Sequence, residues 1–251
     1  MKPTIVFLAI VFLFSASPPA KRINYIKKNL AGHGFSKKEI NKILSSRHLK
    51  LYQYQPNPPK GKSKNESIDW NKLAQNITSK KSVLDGRKFI RKHLKTLISA
   101  ENKFGVPKED IAAVLRIETD FGRFLGSYEV ANLFYNQIMA AKNWQKPADN
   151  FVALFVYCRN LGQNCFSVKG SYAGAFGLCQ FLPSSAIKYG VDGNGDGSIN
   201  LFNTDDAIMS AANFLAKNGW SKNPAKALGV YYGSDSNYPA LVIKYATLLK
   251  R

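Results

Sequence analysis

A mainly helical fold is what this sequence predicts. Beyond residue 83, apolar residues recur at three- and four-residue spacings, the period of a helix with one buried face. Alternating apolar and polar runs, the mark of strands, are scarce. Gly105 closes one periodic stretch and Pro107 opens the next, as helix ends and starts require. A chain of 251 residues suffices for one good core with a small appended subdomain.

The chain starts with Lys2 and the apolar run Ile5 to Phe14, followed by small residues and Pro18-Pro19-Ala20. That run is too short to span a bilayer, so residues 1–20 read as an export signal, with Ala16, Ser17 and Ala20 as candidate cleavage positions. No cysteine follows the run, which argues against a lipoprotein anchor. Export would place the protein in the periplasm or cell envelope. Residues 21–82 form a basic amino-terminal segment. Within it Lys37 to Leu44 is a short amphipathic piece, and Gln55 to Pro59 with Lys60 to Asn65 reads as an extended arm.

Residues 83–251 form the main domain. Ile90, Leu94, Leu97, Ile98 and Phe104 mark one long amphipathic helix ending near Gly105. The next opens at Val106-Pro107-Lys108-Glu109-Asp110, where proline and acids suit a first turn. Further helices are expected at about 150–160, 184–189, 205–218, 225–232 and 239–249.

Lysine and arginine outnumber the acids by 36 to 16, a formal charge of +20. An exported chain so basic suits a polyanion such as a wall polymer, an anionic lipid or an acidic polysaccharide. No nucleic-acid module accompanies the charge. His33, His48 and His93 show no spacing for zinc or a nucleophile triad. The three cysteines make no disulfide framework. Cys158 and Cys165 either close a small loop or, like Cys179, are plain buried thiols.

The most informative single residue is Glu118. Ile111, Val114 and Leu115 form an apolar stripe whose next slot is Glu118. A carboxylate on a helix's inward face loses hydration, which raises its pKa towards that of a general acid. The plainer reading is a glutamate at the stripe's edge, tied to Arg116, Arg123 or solvent. Asp120 is the nearest second acid, but at i+2 it points away from Glu118.

Two further stretches carry chemistry. Ser171 to Ser185 is rich in small residues, at 173, 174, 175 and 177, with Ser171 and Gln180 as hydrogen-bonding groups. It suits close approach of a backbone, whether to a helix or to a ligand. Asp192-Gly193-Asn194-Gly195-Asp196-Gly197-Ser198-Ile199-Asn200 has oxygen ligands at positions 1, 3 and 5 and glycine at 6, the calcium-loop template. Asn203 stands where the template has a bidentate glutamate, and Asp206 is a later candidate to close the loop. The alternative is a metal-free Gly/Asp turn.

Together, Ile117 to Gly122, Ser171 to Ser185 and Asp192 to Trp220 resemble the lytic murein transglycosylase B family, over roughly residues 83–250. The resemblance implies a lysozyme-like helical domain with an embedded EF-hand-like calcium loop. It implies cleavage of the β-1,4 bond between N-acetylmuramic acid and N-acetylglucosamine in peptidoglycan glycan strands, by a monomer with no organic cofactor. Glu118 matches the single catalytic acid/base. Ser171 and Gln180 match positions lining the sugar cleft, joined by Tyr232 and Tyr238. Asp192, Asn194, Asp196, the Ser198 carbonyl and Asp206 match the ligands of a structural Ca2+. Gly233 stands where the family usually has asparagine, and Phe214 at the cleft where tyrosine is common. One carboxylate would suffice, because the muramic acid's own 6-hydroxyl attacks C1 and closes a 1,6-anhydro ring. A water-using muramidase of the same fold and a low-turnover glycan-binding scaffold are the alternatives.

Overall fold

The computed structural model describes residues 20–52, 69–233 and 237–250. Residues 1–19 of the expected export signal and the Pro/Lys-rich arm lie outside the described residues, as do Ser234, Asp235 and Ser236.

Helix α6 (Lys108–Thr119) is the axis of the main domain. Ile111, Ala112, Ala113, Val114 and Leu115 are all fully buried, so no side of its middle faces water. The stripe read from the sequence was therefore too narrow. Ala112 and Ala113 bury the flank that the periodicity leaves unassigned, and their small size lets neighbouring helices close in. Those neighbours are α4 (Lys80–Lys92), α5 (Leu94–Phe104), α10 (Thr204–Lys217) and α12 (Asn237–Leu249).

The single long helix expected before Gly105 is α4 followed by α5, parted only at His93 (φ −112°, ψ 26°). The break is slight: His93 N–H still donates to Phe89 O, and Leu97 N–H to His93 O. Gly105 caps α5 with φ 69°, a left-handed value that glycine adopts without cost.

Among its described residues the basic segment contributes three helices. In α1 (Ala20–Gly32) and α2 (Lys37–Leu44), Ile26, Leu30, Ile40 and Ile43 are buried in the same hydrophobic cluster as the main domain. Ser36 starts α2 with a reciprocal capping box to Glu39. The short α3 (Trp70–Ile77), capped by Asp69, lies against α4 and α12. Helix α7 (Val130–Ala140) escapes a search for stripes because Val130 through Asn136 are all buried. Its Asn132 and Asn136 side chains take up backbone groups of Lys50 and Tyr52, which fastens the stretch that follows α2.

Helices α8 (Gln145–Asn160), α9 (Pro183–Tyr189) and α11 (Pro224–Tyr232) complete the set. A small ribbon interrupts them. Strands β1 (Tyr128–Glu129) and β2 (Lys169–Gly170) pair antiparallel, and Gly170 bridges to Phe176, which bridges to Phe181. These pairings fold the glycine-rich stretch into two adjacent turns. At Gly177 the chain has φ 73°, and a Cβ would lie 2.6 Å from that of Leu201. The small residue there serves close backbone approach within the fold.

Candidate active site

Glu118 stands in the last turn of α6 and is half-buried. Tyr238 Oη donates to Glu118 Oε1 at 2.6 Å. Tyr238 is fully buried at the start of α12, and burial, with the Glu118 carboxyl group beside it, pushes its hydroxyl well above the ordinary tyrosine range. It therefore remains a donor at neutral pH. Tyr232 stacks on Tyr238 at 4.5 Å, and Trp70 meets Tyr232 edge-on at 5.7 Å.

The chain turns sharply after Glu118. Asp120 (φ 52°) and Phe121 (φ 57°) are consecutive left-handed residues without being glycine, a conformation that must be held by its surroundings. Arg116 and Arg123 each approach Asp120 at 3.0 Å, and Phe121 stacks on Phe89 at 4.3 Å. Asp120 is thus committed to two guanidinium groups. Arg116 also donates to Ser82 Oγ at 2.9 Å and to Asn76 Oδ1 at 3.2 Å, linking α6 to α4 and α3.

Two hydrogen bonds bring the glycine-rich turns to this end of α6. Thr119 Oγ1 donates to Leu178 O at 2.9 Å, and Tyr231 Oη donates to Cys179 O at 2.7 Å. The next residue, Gln180, has φ 48° and donates through Nε2 to Gly177 O at 2.9 Å. Ser171 Oγ accepts the Ala175 N–H at 3.2 Å. Both side chains are half-buried and bind their own turns.

A cavity of about 380 Å³ opens beside Glu118, with Leu73, Asn76, Ser82, Asp85, Arg116 and Arg123 among its lining. Its far wall is therefore α3 and α4. Neither Ser171 nor Gln180 lines it. Tyr232 is partly exposed, whereas Phe214 is only 7% exposed, packed against Tyr189, Tyr231 and Phe181 at 4.6, 4.8 and 5.5 Å. Phe214 stands behind the tyrosines and supports them; it does not present a face to the cleft.

The 192–200 loop is a series of side-chain turns. Asp192 accepts from the N–H groups of Gly195 and Gly197, Asn194 from Asp196, and Asp196 from Ser198. Asp206, fully buried, accepts from Gly193, Asn194 and Asn200. Burial pushes Asp206 above the usual carboxylate range against the pull of those three amides. Among the described residues no three His, Cys, Asp or Glu side chains converge into a group that could hold a metal. In this arrangement the loop is a run of turns in which Asp192, Asn194 and Asp196 accept backbone amides and Asp206 closes the run. The oxygen-only donor set still suits a hard divalent cation. Cys158, Cys165 and Cys179 are all free and buried.

The description "Transglycosylase SLT domain" fits residues 19–240 of this chain. The chain belongs to that family. The match begins far ahead of residue 83, where the recognisable motifs start, so it takes in α1, α2 and α3. Membrane-bound lytic murein transglycosylase B of Escherichia coli strain K12 is 31% identical over 229 residues. Those residues are 86% of this chain but 61% of that protein, so the SLT-domain chain spans less than two-thirds of this relative. Soluble lytic transglycosylase SltB1 from Pseudomonas aeruginosa superposes with a TM-score of 0.80 at 20% identity, over 92% of this chain and 98% of its own. Escherichia coli Slt35 in complex with calcium gives 0.77 at 20%, over 91% and 92%. At such identities the likeness is one of fold, and that fold is the lytic transglycosylases' helical one.

The motifs do not include the α3 wall, Leu73, Asn76 and Ile77, nor Trp70 of the same helix, which meets Tyr232. The only signal of α3 was the pairing of Asp69 with an apolar Trp70–Leu73–Ile77 pattern, short enough to be lost beside the proline-rich arm.

Proposed function

We propose that this SLT-domain chain is an exported peptidoglycan lytic transglycosylase, cleaving the bond between N-acetylmuramic acid and N-acetylglucosamine with Glu118 as its single acid/base. The observation that carries this reading is the Tyr238–Glu118 hydrogen bond, which fixes a carboxyl group at the edge of a cavity large enough for part of a sugar chain. Family membership and the name of the Escherichia coli relative support the reaction class.

In the reaction, protonated Glu118 gives its proton to the glycosidic oxygen as the bond to C1 breaks. The resulting carboxylate takes the proton of the muramic acid 6-hydroxyl, whose oxygen bonds to C1. The 1,6-anhydro ring forms, Glu118 regains its proton, and no water is consumed. Tyr238 holds one carboxyl oxygen throughout. Asp120, committed to Arg116 and Arg123, is not placed to act as a second carboxylate. Ser171 and Gln180 are assigned to polar groups of the sugar on the ribbon side, and Tyr232 to a sugar face. Phe214 acts by supporting Tyr231.

Asp192, Asn194, Asp196, the Ser198 carbonyl and Asp206 would hold a Ca2+ ion. The ion would neutralise clustered oxygens and clip the α9–α10 connection, away from the chemistry. Slt35, of the same fold, has been solved in complex with calcium. Mass spectrometry of glycan fragments released from purified sacculi tests the reaction. Anhydro ends support it, whereas products heavier by one water identify a muramidase.

A further inference from the structure

The outward side of α4 and α5 has no part in the cavity. Leu84, Lys88, Arg91, Lys95 and Ile98 follow one another at alternating four- and three-residue spacing, which keeps them on one side of a helix. The hydrogen bonds that continue through His93 carry that register from α4 into α5. All five are exposed, Leu84 by 55% and Ile98 by 41%, with Leu94 beside them at 42%. Lys80 and Lys92 flank the row and are exposed too. The opposite side, with Gly86, Phe89, Ile90, Leu97 and Ala100, is buried.

The acids of these two helices are off the row and engaged. Asp85 pairs with Lys81 at 2.9 Å and Asp120's partner Arg123 at 3.5 Å, and Glu101 pairs with Lys108 at 3.7 Å. The result is an exposed row whose charged members are all cationic, with large apolar side chains at intervals.

We propose that this row docks the protein on an anionic phospholipid bilayer. Lysine and arginine would meet the phosphate headgroups while Leu84, Leu94 and Ile98 enter the interface, the combination that defines a surface-lying amphipathic helix. A second copy of this chain is a poor occupant, because two such rows repel. A soluble wall polymer would satisfy the cations but gives the three apolar side chains nothing to bury against. No described helix is long and apolar enough to cross a membrane, so the contact lies on the surface. Because Lys81 and Asp85, at the edge of the same helix, line the cavity, docking would hold the cleft alongside the bilayer.

The test is co-sedimentation of the full chain with phosphatidylglycerol/phosphatidylethanolamine vesicles and with phosphatidylcholine vesicles. Release of glycan fragments from sacculi is measured on the same samples, and using the full chain keeps any effect of residues 1–20 common to all variants. The wild type should prefer the anionic vesicles and lose them as salt rises. The triple variant Lys88→Glu/Arg91→Glu/Lys95→Glu should bind them about tenfold or more weakly. The triple variant Leu84→Ser/Leu94→Ser/Ile98→Ser should lose binding several-fold, roughly in proportion to the apolar area removed, with sacculus digestion unchanged in both. Circular dichroism confirms folding, and Gln in place of Glu serves as a neutral set expected to fall between. Equal binding to both vesicle types, or wild-type binding by the charge variant, overturns the proposal. So does full retention by the serine variant, which would identify a general polyanion site. Loss of lytic products without loss of vesicle binding would count against the catalytic reading alone.

Discussion

Helix α6 carries a buried carboxyl group, Asp110, in its first turn and Glu118 in its last, and the two have opposite fates. Asp110, in the first turn, is 6% exposed, and burial pushes its pKa up to about 6 against the attraction of Lys250. Glu118, in the last turn, is half-buried, receives the Tyr238 hydroxyl and borders a cavity. On desolvation alone Asp110 would look the better general acid. It is absent from the lining of the cavity beside Glu118 and stands among helix N-terminal groups that any first-turn aspartate would use. The comparison teaches that a perturbed carboxyl becomes a catalytic candidate only where space for substrate and a fixed hydrogen-bond partner coincide.

The largest effect should come from Glu118→Gln. Release of anhydro fragments from sacculi should fall about 10³-fold, within the range that positioned acid–base groups supply, while sedimentation with intact sacculi persists. A variant that still digests sacculi at a tenth of the normal rate would remove Glu118 from its role.

Tyr238→Phe sharpens the same end of the helix. The phenyl ring keeps the stack with Tyr232 and deletes only the hydroxyl, so turnover should drop roughly 10- to 100-fold, the worth of one hydrogen bond to a charged group. Thermal stability should fall only modestly with the fold retained, and an unchanged kcat would show that the carboxyl needs no such anchor.

Asp110→Asn probes the opposite end through stability. Because the folded-state pKa of Asp110 is raised, to about 6 from 3.8, the native state holds its proton more tightly than the unfolded chain. Asp110 therefore favours folding below about pH 4. That contribution is lost as pH rises to about 6, and ionised burial is a cost above it. The variant should be more stable at pH 7 by about 2–3 kcal/mol and show a flatter stability profile between pH 4 and 6 in urea titrations. Lytic activity should survive, which separates this group from Glu118.

The smallest change is expected from Trp70→Ala. Losing the edge-on contact with Tyr232 should weaken glycan binding a few-fold, on the order of 0.5–1.5 kcal/mol, seen as a higher KM with kcat nearly unchanged.

Much of the helical layout is legible in the sequence. Helix periodicity located α2 to the residue, gave α9 through α12 within two residues, and gave α8 too short at its start. Gly105 marked a true helix end because a left-handed residue there has a local cause. The same reasoning joined α4 to α5, since nothing in the sequence at His93 demands a break. It missed α7, whose burial all round leaves no polar side to count against. The motifs drew Glu118, the glycine-rich turns and the tyrosines into one proposal, but spacing could not say how each aromatic packs. Packing gave Tyr232 an exposed edge, hid Phe214, and turned Tyr238 towards the carboxyl.

Periodicity and local chemistry thus determined where most helices run, where they stop and which carboxylate falls on an apolar stripe, because each depends on residues a few positions apart. Only the tertiary structure decided what surrounds that carboxylate. The Tyr238 hydroxyl arrives from 120 positions away and the α3 wall from about 40 in the other direction. Contacts between residues so distant in sequence follow from how whole helices pack, which no short pattern encodes.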